Sequence, residues 1–313
     1  MNVKKSLKLN PIYWGLLIFI VAQVLILLLT SRIDPFLVEE NIYIPSQPSE
    51  TISWWPGEVI LPSGEVTETP AYSSLGPVLI YVFTVVAVLG ITLSLIPLKT
   101  LRLVLRLLFA LMFSWGAFIA TVFYLPLPFA IAIGIMFGTV WFLIPFVWLH
   151  DLALILALAS LGAVFGRFIT PWTVMLLILL LAIYDFLAVR FRFMTWMADR
   201  LAKLDALPAV ILPKDYSRWG LNLKKDGVTD LLEAKSADRK YSILGGGDIA
   251  FPCLLTASVY FAQGMTPGAI IAVFGLFGLV SAYSIQAIFL KGKPIPALPP
   301  IATLTLIGLL VIS

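Results

Sequence analysis

Apolar runs, each close to the length of a bilayer crossing, follow one another along the 313 residues. A helix needs about 20 apolar residues to cross the hydrocarbon, and about nine segments meet or approach that length: 12–30, 77–97, 101–123, 129–149, 152–168, 172–189, 246–263, 267–290 and 299–313. In lipid every backbone polar group has to be satisfied within the protein, so such runs become helices rather than open strands. The pattern therefore predicts an all-α polytopic membrane protein of about nine transmembrane helices, with little soluble mass. Composition agrees, with 60% hydrophobic and only 12% charged residues. The last run is short for a full crossing. The fourth and fifth are separated only by His150 and Asp151, which read as an interfacial break. The first run is longer than a signal-peptide core and lacks a small-x-small cleavage site, so it reads as the first helix.

Charge placement gives the orientation. With nine spans and the N-terminus inside, the inner segments hold Lys4, Lys5 and Lys8, then Lys99, Arg102 and Arg106, then eleven basic residues between 190 and 240, then Lys291 and Lys293. That is nineteen of the 21 lysines and arginines, and only Arg32 and Arg167 fall outside. The positive-inside rule favours this arrangement. The net charge of +4 is thus a membrane signal and not a nucleic-acid one. Residues 31–75 carry seven acids, one base and several prolines, and read as an external irregular loop. Three parts follow: residues 1–189 with six spans, an inner loop over 190–244, and residues 245–313 with three spans. In the loop, Met194, Met197, Leu201 and Leu204 recur at helical steps beside Arg200 and Lys203, predicting a helix on the membrane surface. "LPAVILP" (207–213) is too short for a helix and too apolar for a free linker. One cysteine, Cys253, excludes an internal disulfide. One histidine, His150, excludes an HExxH metalloprotease, and no metal or cofactor is expected.

Two acids lie well inside the predicted spans: Asp185 in "LAIYDFLAV" and Asp248 in "GGGDIAFPC". An ionisable group in a membrane is costly and is a functional hypothesis by default. The sixth span runs inward with Asp185 about five residues, ~7 Å, from its end. The seventh runs outward with Asp248 near its start, so both carboxylates fall at one depth near the inner face. Singly, each has a plainer reading. Asp248 suits a helix N-cap, and Asp185 suits a helix-end acid reaching for headgroups or for Arg190 or Arg192. The shared depth favours a joint role. Gly245, Gly246 and Gly247 would let backbone approach a bound chain closely. The proline-rich "KPIPALPP" (293–300) is, on physics alone, a helix-start turn.

These residues carry a resemblance. Tyr184-Asp185, then Gly245-Gly246-Gly247-Asp248, then Pro296-Ala297-Leu298 resemble the YD, GxGD and PAL motifs of the presenilin and signal peptide peptidase family, in the same order and across the whole chain. The resemblance implies an intramembrane aspartyl protease of the GxGD type. Asp185 and Asp248 would be its catalytic pair, with Tyr184, the three glycines and Pro296-Ala297-Leu298 shaping the site and holding substrate. Presenilins keep the loop between the two aspartate helices in the cytoplasm and signal peptide peptidases invert it, so the charge count points to the presenilin-like branch. Gly246 departs from the eukaryotic motif, which usually has leucine there. The short loops resemble those of a prokaryotic, archaeal member in the cell membrane that acts without accessory subunits; the oligomeric state is left open.

Two close carboxylates share one proton. The ionised one takes a proton from water while the other polarises the scissile carbonyl. The substrate implied is a transmembrane helix that unwinds locally and finds new backbone partners, by strand addition, along residues 241–244 and Pro296-Ala297-Leu298. A proton-coupled transporter is the competing class, but no paired halves with matching breaks occur. A prepilin-peptidase-type GxGD protease keeps the chemistry, but lacks the PAL motif and the nine spans. A rhomboid-type serine protease lacks a Ser and His pair at a plausible depth.

Overall fold

The structure, a computed structural model, describes residues 11–40, 54–60, 66–69, 74–95, 97–190, 207–223, 241–288 and 296–313. Among them are nine α-helices: α1 (Pro11–Glu39), α2 (Leu75–Leu95), α3 (Leu98–Val122), α4 (Leu127–Leu143), α5 (Val147–Gly166), α6 (Pro171–Arg190), α7 (Gly246–Gln263), α8 (Met265–Ile288) and α9 (Leu298–Ile312). Five are long and apolar enough to cross a membrane, and α4, α6 and α9 hold shorter apolar stretches. The expected surface helix over residues 194–204 lies outside the described residues.

Two short antiparallel ribbons accompany the helices. β1 (Gly57–Ile60) pairs with β2 (Val66–Thr69) inside the segment expected to be irregular. β3 (Ala209–Pro213), the core of "LPAVILP", pairs with β4 (Tyr241–Gly245). A 3-10 turn at Tyr216–Gly220 follows β3.

α1 runs nine residues beyond the expected end at Thr30. Its polar side chains make the extension possible: Thr30 and Ser31 bond back to the Ile26 and Leu28 carbonyls, and Asp34 pairs with Arg167 at the end of α5. The break between α4 and α5 also differs from expectation. It falls at 144–146, where Pro145 has no N–H to continue a helix. Main-chain bonds from Val147 to Leu221 and from Leu223 to Pro145 take over there. His150 and Asp151 consequently lie inside α5 and are buried, at 1% and 2% exposure, rather than at an interface.

α5 and α7 form the middle of the bundle, packed on each other and on α1, with α3 against α5 and α8, α6 and α9 against α7. In lipid, water does not drive helices together, and close packing and interhelical hydrogen bonds do so instead, the bonds at about 0.6 kcal/mol each. Thr256 of α7 donates to Gln23 of α1 at 2.8 Å, and Ser160 of α5 donates to the Gly116 carbonyl of α3 at 2.9 Å. At Gly278 a Cβ would stand 2.5 Å from the Ile301 Cα, so α8 and α9 touch backbone to backbone. One end of the bundle collects the starts of α1 and α9 and the ends of α6 and α8, together with β3 and β4: Gly15 abuts Tyr283 and Leu212 there. The other end holds the Asp34–Arg167 pair and Arg32 over the Tyr124 ring.

Candidate active site

Asp185 is five residues from the end of α6, on the face that packs against α7 and α9. It is 6% exposed, and its Oδ1 has no hydrogen-bond partner among the described residues. The Leu298 amide, the first of α9, faces this carboxylate. Local sequence explains why that donor is available. Pro299 and Pro300 follow, so the first turn of α9 offers few N–H groups, and the Leu298 N–H is one no helical carbonyl can take. The Ala297 carbonyl accepts from Ile301 at 3.5 Å, which begins α9. That carbonyl is therefore turned into the helix rather than held out for an added strand. Leu298 itself is buried, in the apolar cluster shared by α6, α7 and α9, while Pro296 and Ala297 are half-buried.

Asp248 is the third residue of α7 and half-buried. The helix cap is Gly245, so Asp248 is not an N-cap. It sits three positions on and accepts the Gly245 amide, the reach-back half of a capping box. Asp248 and Asp185 are close enough for their charges to interact. The fold thus brings together two acids that are 63 positions apart in the sequence. Tyr184 is half-buried beside Asp185.

The three glycines have different surroundings. Gly246 donates to the Pro208 carbonyl at 3.0 Å, and a Cβ on Gly246 would stand 2.7 Å from that same oxygen. The close approach is to the chain's own β3 end, which gives a local reason for glycine at this position. A Cβ on Gly245 would lie 3.0 Å from Asp248 Oδ2, and Gly247 is exposed.

β4 leads straight into α7. The bond from Gly246 to Pro208 fixes the parity of the ribbon. In an antiparallel ladder, hydrogen-bonded and non-hydrogen-bonded pairs alternate. Val210 with Leu244 and Leu212 with Ser242 then bond across the ribbon, while Ile243 and Gly245 turn their main-chain groups to the other side of β4. That is the side on which the Gly245 amide meets Asp248. Among the described residues no third strand lies there.

Tyr283 of α8 was not foreseen. Its ring fills the space left by Gly15 and lies within electrostatic reach of Asp248. A single tyrosine in an apolar helix gives no signal of this in sequence.

With this geometry in view, comparison with known proteins decides the family. The model described as signal-peptide peptidase, presenilin aspartyl protease matches residues 66–313. The chain belongs to that family. It is an intramembrane aspartyl protease and a membrane protein. Two solved structures of a presenilin family intramembrane aspartate protease share its fold. The one in space group C222 aligns with a TM-score of 0.60 and 17% identity over 96% of this chain and 98% of that one. The one in P2 aligns with 0.56 and 17% identity over 95% and 94%. No curated protein is similar enough to match.

Proposed function

We propose that this protease hydrolyses peptide bonds within transmembrane helices of its substrates, with Asp185 and Asp248 as a GxGD-type catalytic pair. The observation that carries the reading is the meeting of two acids from α6 and α7 at one end of the bundle, the unpartnered Oδ1 of Asp185 beside them. One carboxylate takes a proton from the attacking water while the protonated partner hydrogen-bonds the scissile carbonyl, and the roles exchange as the bond breaks. The Gly245 and Leu298 amides orient the two carboxylates. The unwound substrate pairs along the outer side of β4 at Ile243, which runs toward Asp248. The enzyme works in the cell membrane with its N-terminus and the 190–244 loop in the cytoplasm, without accessory subunits. Each of the three parts contributes to the site. The six-span part supplies Asp185, the loop supplies β3, and the three-span part supplies Asp248 and Leu298.

The test is to reconstitute the wild type, Asp185→Asn and Asp248→Asn with a transmembrane peptide and to read fragments by mass spectrometry. Each substitution abolishes cleavage while melting changes little or rises, because a costly intramembrane carboxylate is removed. Wild-type activity against pH is bell-shaped, with limits that belong to the pair. If Asp248 served only α7, asparagine would accept the Gly245 amide equally well and the variant would be nearly silent. Substantial cleavage by the Asp248→Asn protein would sink the mechanism.

A further inference from the structure

Two buried side chains of α5 have no part in that chemistry, yet both end on the main chain of β3. Asp151 Oδ1 accepts the Ile211 amide at 2.9 Å. His150 accepts the Trp141 indole N–H on Nδ1 at 3.3 Å, so its proton is on Nε2, which donates to the Ala209 carbonyl at 3.2 Å. The imidazole is wedged among Phe109, Phe113 and Trp141, which fixes its plane.

Ala209, Ile211 and Pro213 are the β3 residues whose main-chain groups turn away from β4, and the first two are the ones α5 reaches. Adjacent His150 and Asp151 therefore do what a neighbouring strand would do, one taking a carbonyl and the other an amide, two residues apart. We propose that His150 and Asp151 are positioning residues for proteolysis: they close the outer edge of β3 and so hold the ribbon whose far strand receives substrate and leads into Asp248. The inference rests on the protease reading above.

Two consequences follow from the ribbon's geometry. A two-stranded ribbon has two edges, and an unwound substrate segment can pair with either. Pairing on β3 would leave the substrate on the side away from Asp248. With that edge occupied by α5, only the β4 side takes a strand. The second consequence is rigidity. Pro208, Ala209 and Ile211 are held to α5 and α7 by three bonds, through Gly246, His150 and Asp151. Releasing one end lets the ribbon tilt, and with it the Gly245 amide that orients Asp248. Asp151 Oδ2 has no hydrogen-bond partner among the described residues, an unsatisfied buried oxygen that a merely space-filling side chain would not carry.

The experiment compares Asp151→Leu, Asp151→Asn and His150→Phe for kcat and KM on a transmembrane peptide, for melting, and for hydrogen exchange at the Ile211 amide. Asp151→Leu lowers kcat about tenfold or more, as misplacement of catalytic groups does, and speeds exchange at Ile211. Asp151→Asn recovers most of kcat, because its amide oxygen accepts the same bond. His150→Phe keeps the ring stack, loses the bond to Ala209 and lowers kcat several-fold. Wild-type kcat in Asp151→Leu overturns the proposal. So do equal losses in the Leu and Asn variants that track melting alone. If Asp151→Leu does not fold, His150→Phe decides, and an unchanged kcat there overturns it. Wild type and Asp248→Asn run alongside: a wild type that cleaves nothing strikes at the protease reading, whereas a cleaving wild type with an unaffected Asp151→Leu strikes only at the positioning role.

Discussion

The three glycines before Asp248 separate three physical effects within one motif. In Gly246→Ala the new Cβ would stand 2.7 Å from the Pro208 oxygen, which the Gly246 amide already bonds at 3.0 Å. An ordinary contact requires about half an ångström or more of separation beyond that. The oxygen belongs to backbone at the edge of β3, so relief moves the ribbon or the start of α7. Overpacking of this kind costs about 1–3 kcal/mol. A weakened hydrogen bond adds about 1 kcal/mol, and better helix propensity returns at most about 1 kcal/mol. A shift of 1 Å in a catalytic group costs about 100-fold, so half of that predicts a kcat about tenfold lower, together with a lower melting temperature. In Gly245→Ala the Cβ lies 3.0 Å from Asp248 Oδ2 itself. Its φ of -59° suits alanine, so melting barely changes while kcat falls because the carboxylate is displaced. In Gly247→Ala the Cβ meets only Phe251, at an ordinary 3.4 Å, and the loss is the smallest of the three. The assay is cleavage of a fluorogenic transmembrane peptide by each purified variant, beside melting followed by tryptophan fluorescence. Wild-type kcat in Gly246→Ala, or three indistinguishable variants, would refute the reasoning.

Other expectations follow from the same structure. In a Cys253→Ser background, a membrane-impermeant thiol reagent on intact cells labels a cysteine at Glu58 and misses one at Lys225; labelling at 225 would reverse the orientation read from the basic residues. Leu298→Ala lowers both melting and cleavage, since removal of a buried leucine costs about 2–5 kcal/mol, whereas Leu298→Met keeps volume, keeps the amide on Asp185 and stays close to wild type. Pro296→Ala lowers cleavage with melting retained, and unchanged rates in both Pro296→Ala and Leu298→Ala would leave this segment as a plain helix start.

The helices were legible because their cause is local. A run of apolar residues in lipid satisfies its own backbone, so length and composition suffice, and α7 falls on the expected residues 246–263 because glycines flank it at both ends. The same logic misplaced the α4–α5 break. His150 and Asp151 looked like a polar boundary, and the nearby Pro145 was the better signal, since a missing N–H stops a helix whatever its polarity. The two acids were legible as rare charges in apolar spans. Their surroundings were not. That Leu298 aims its amide at Asp185, that Tyr283 lies near Asp248, and that "LPAVILP" pairs with a strand beginning 28 residues beyond its last residue all depend on which helices lie side by side. That neighbourhood is decided by long-range packing of small residues and by a few interhelical hydrogen bonds, none of which has a period or a spacing along the chain. The sequence by itself determined a helical membrane protein with two acids set inside its apolar spans; only the tertiary structure decided what each acid faces, and that two further polar side chains of α5 are tied to the strand of "LPAVILP".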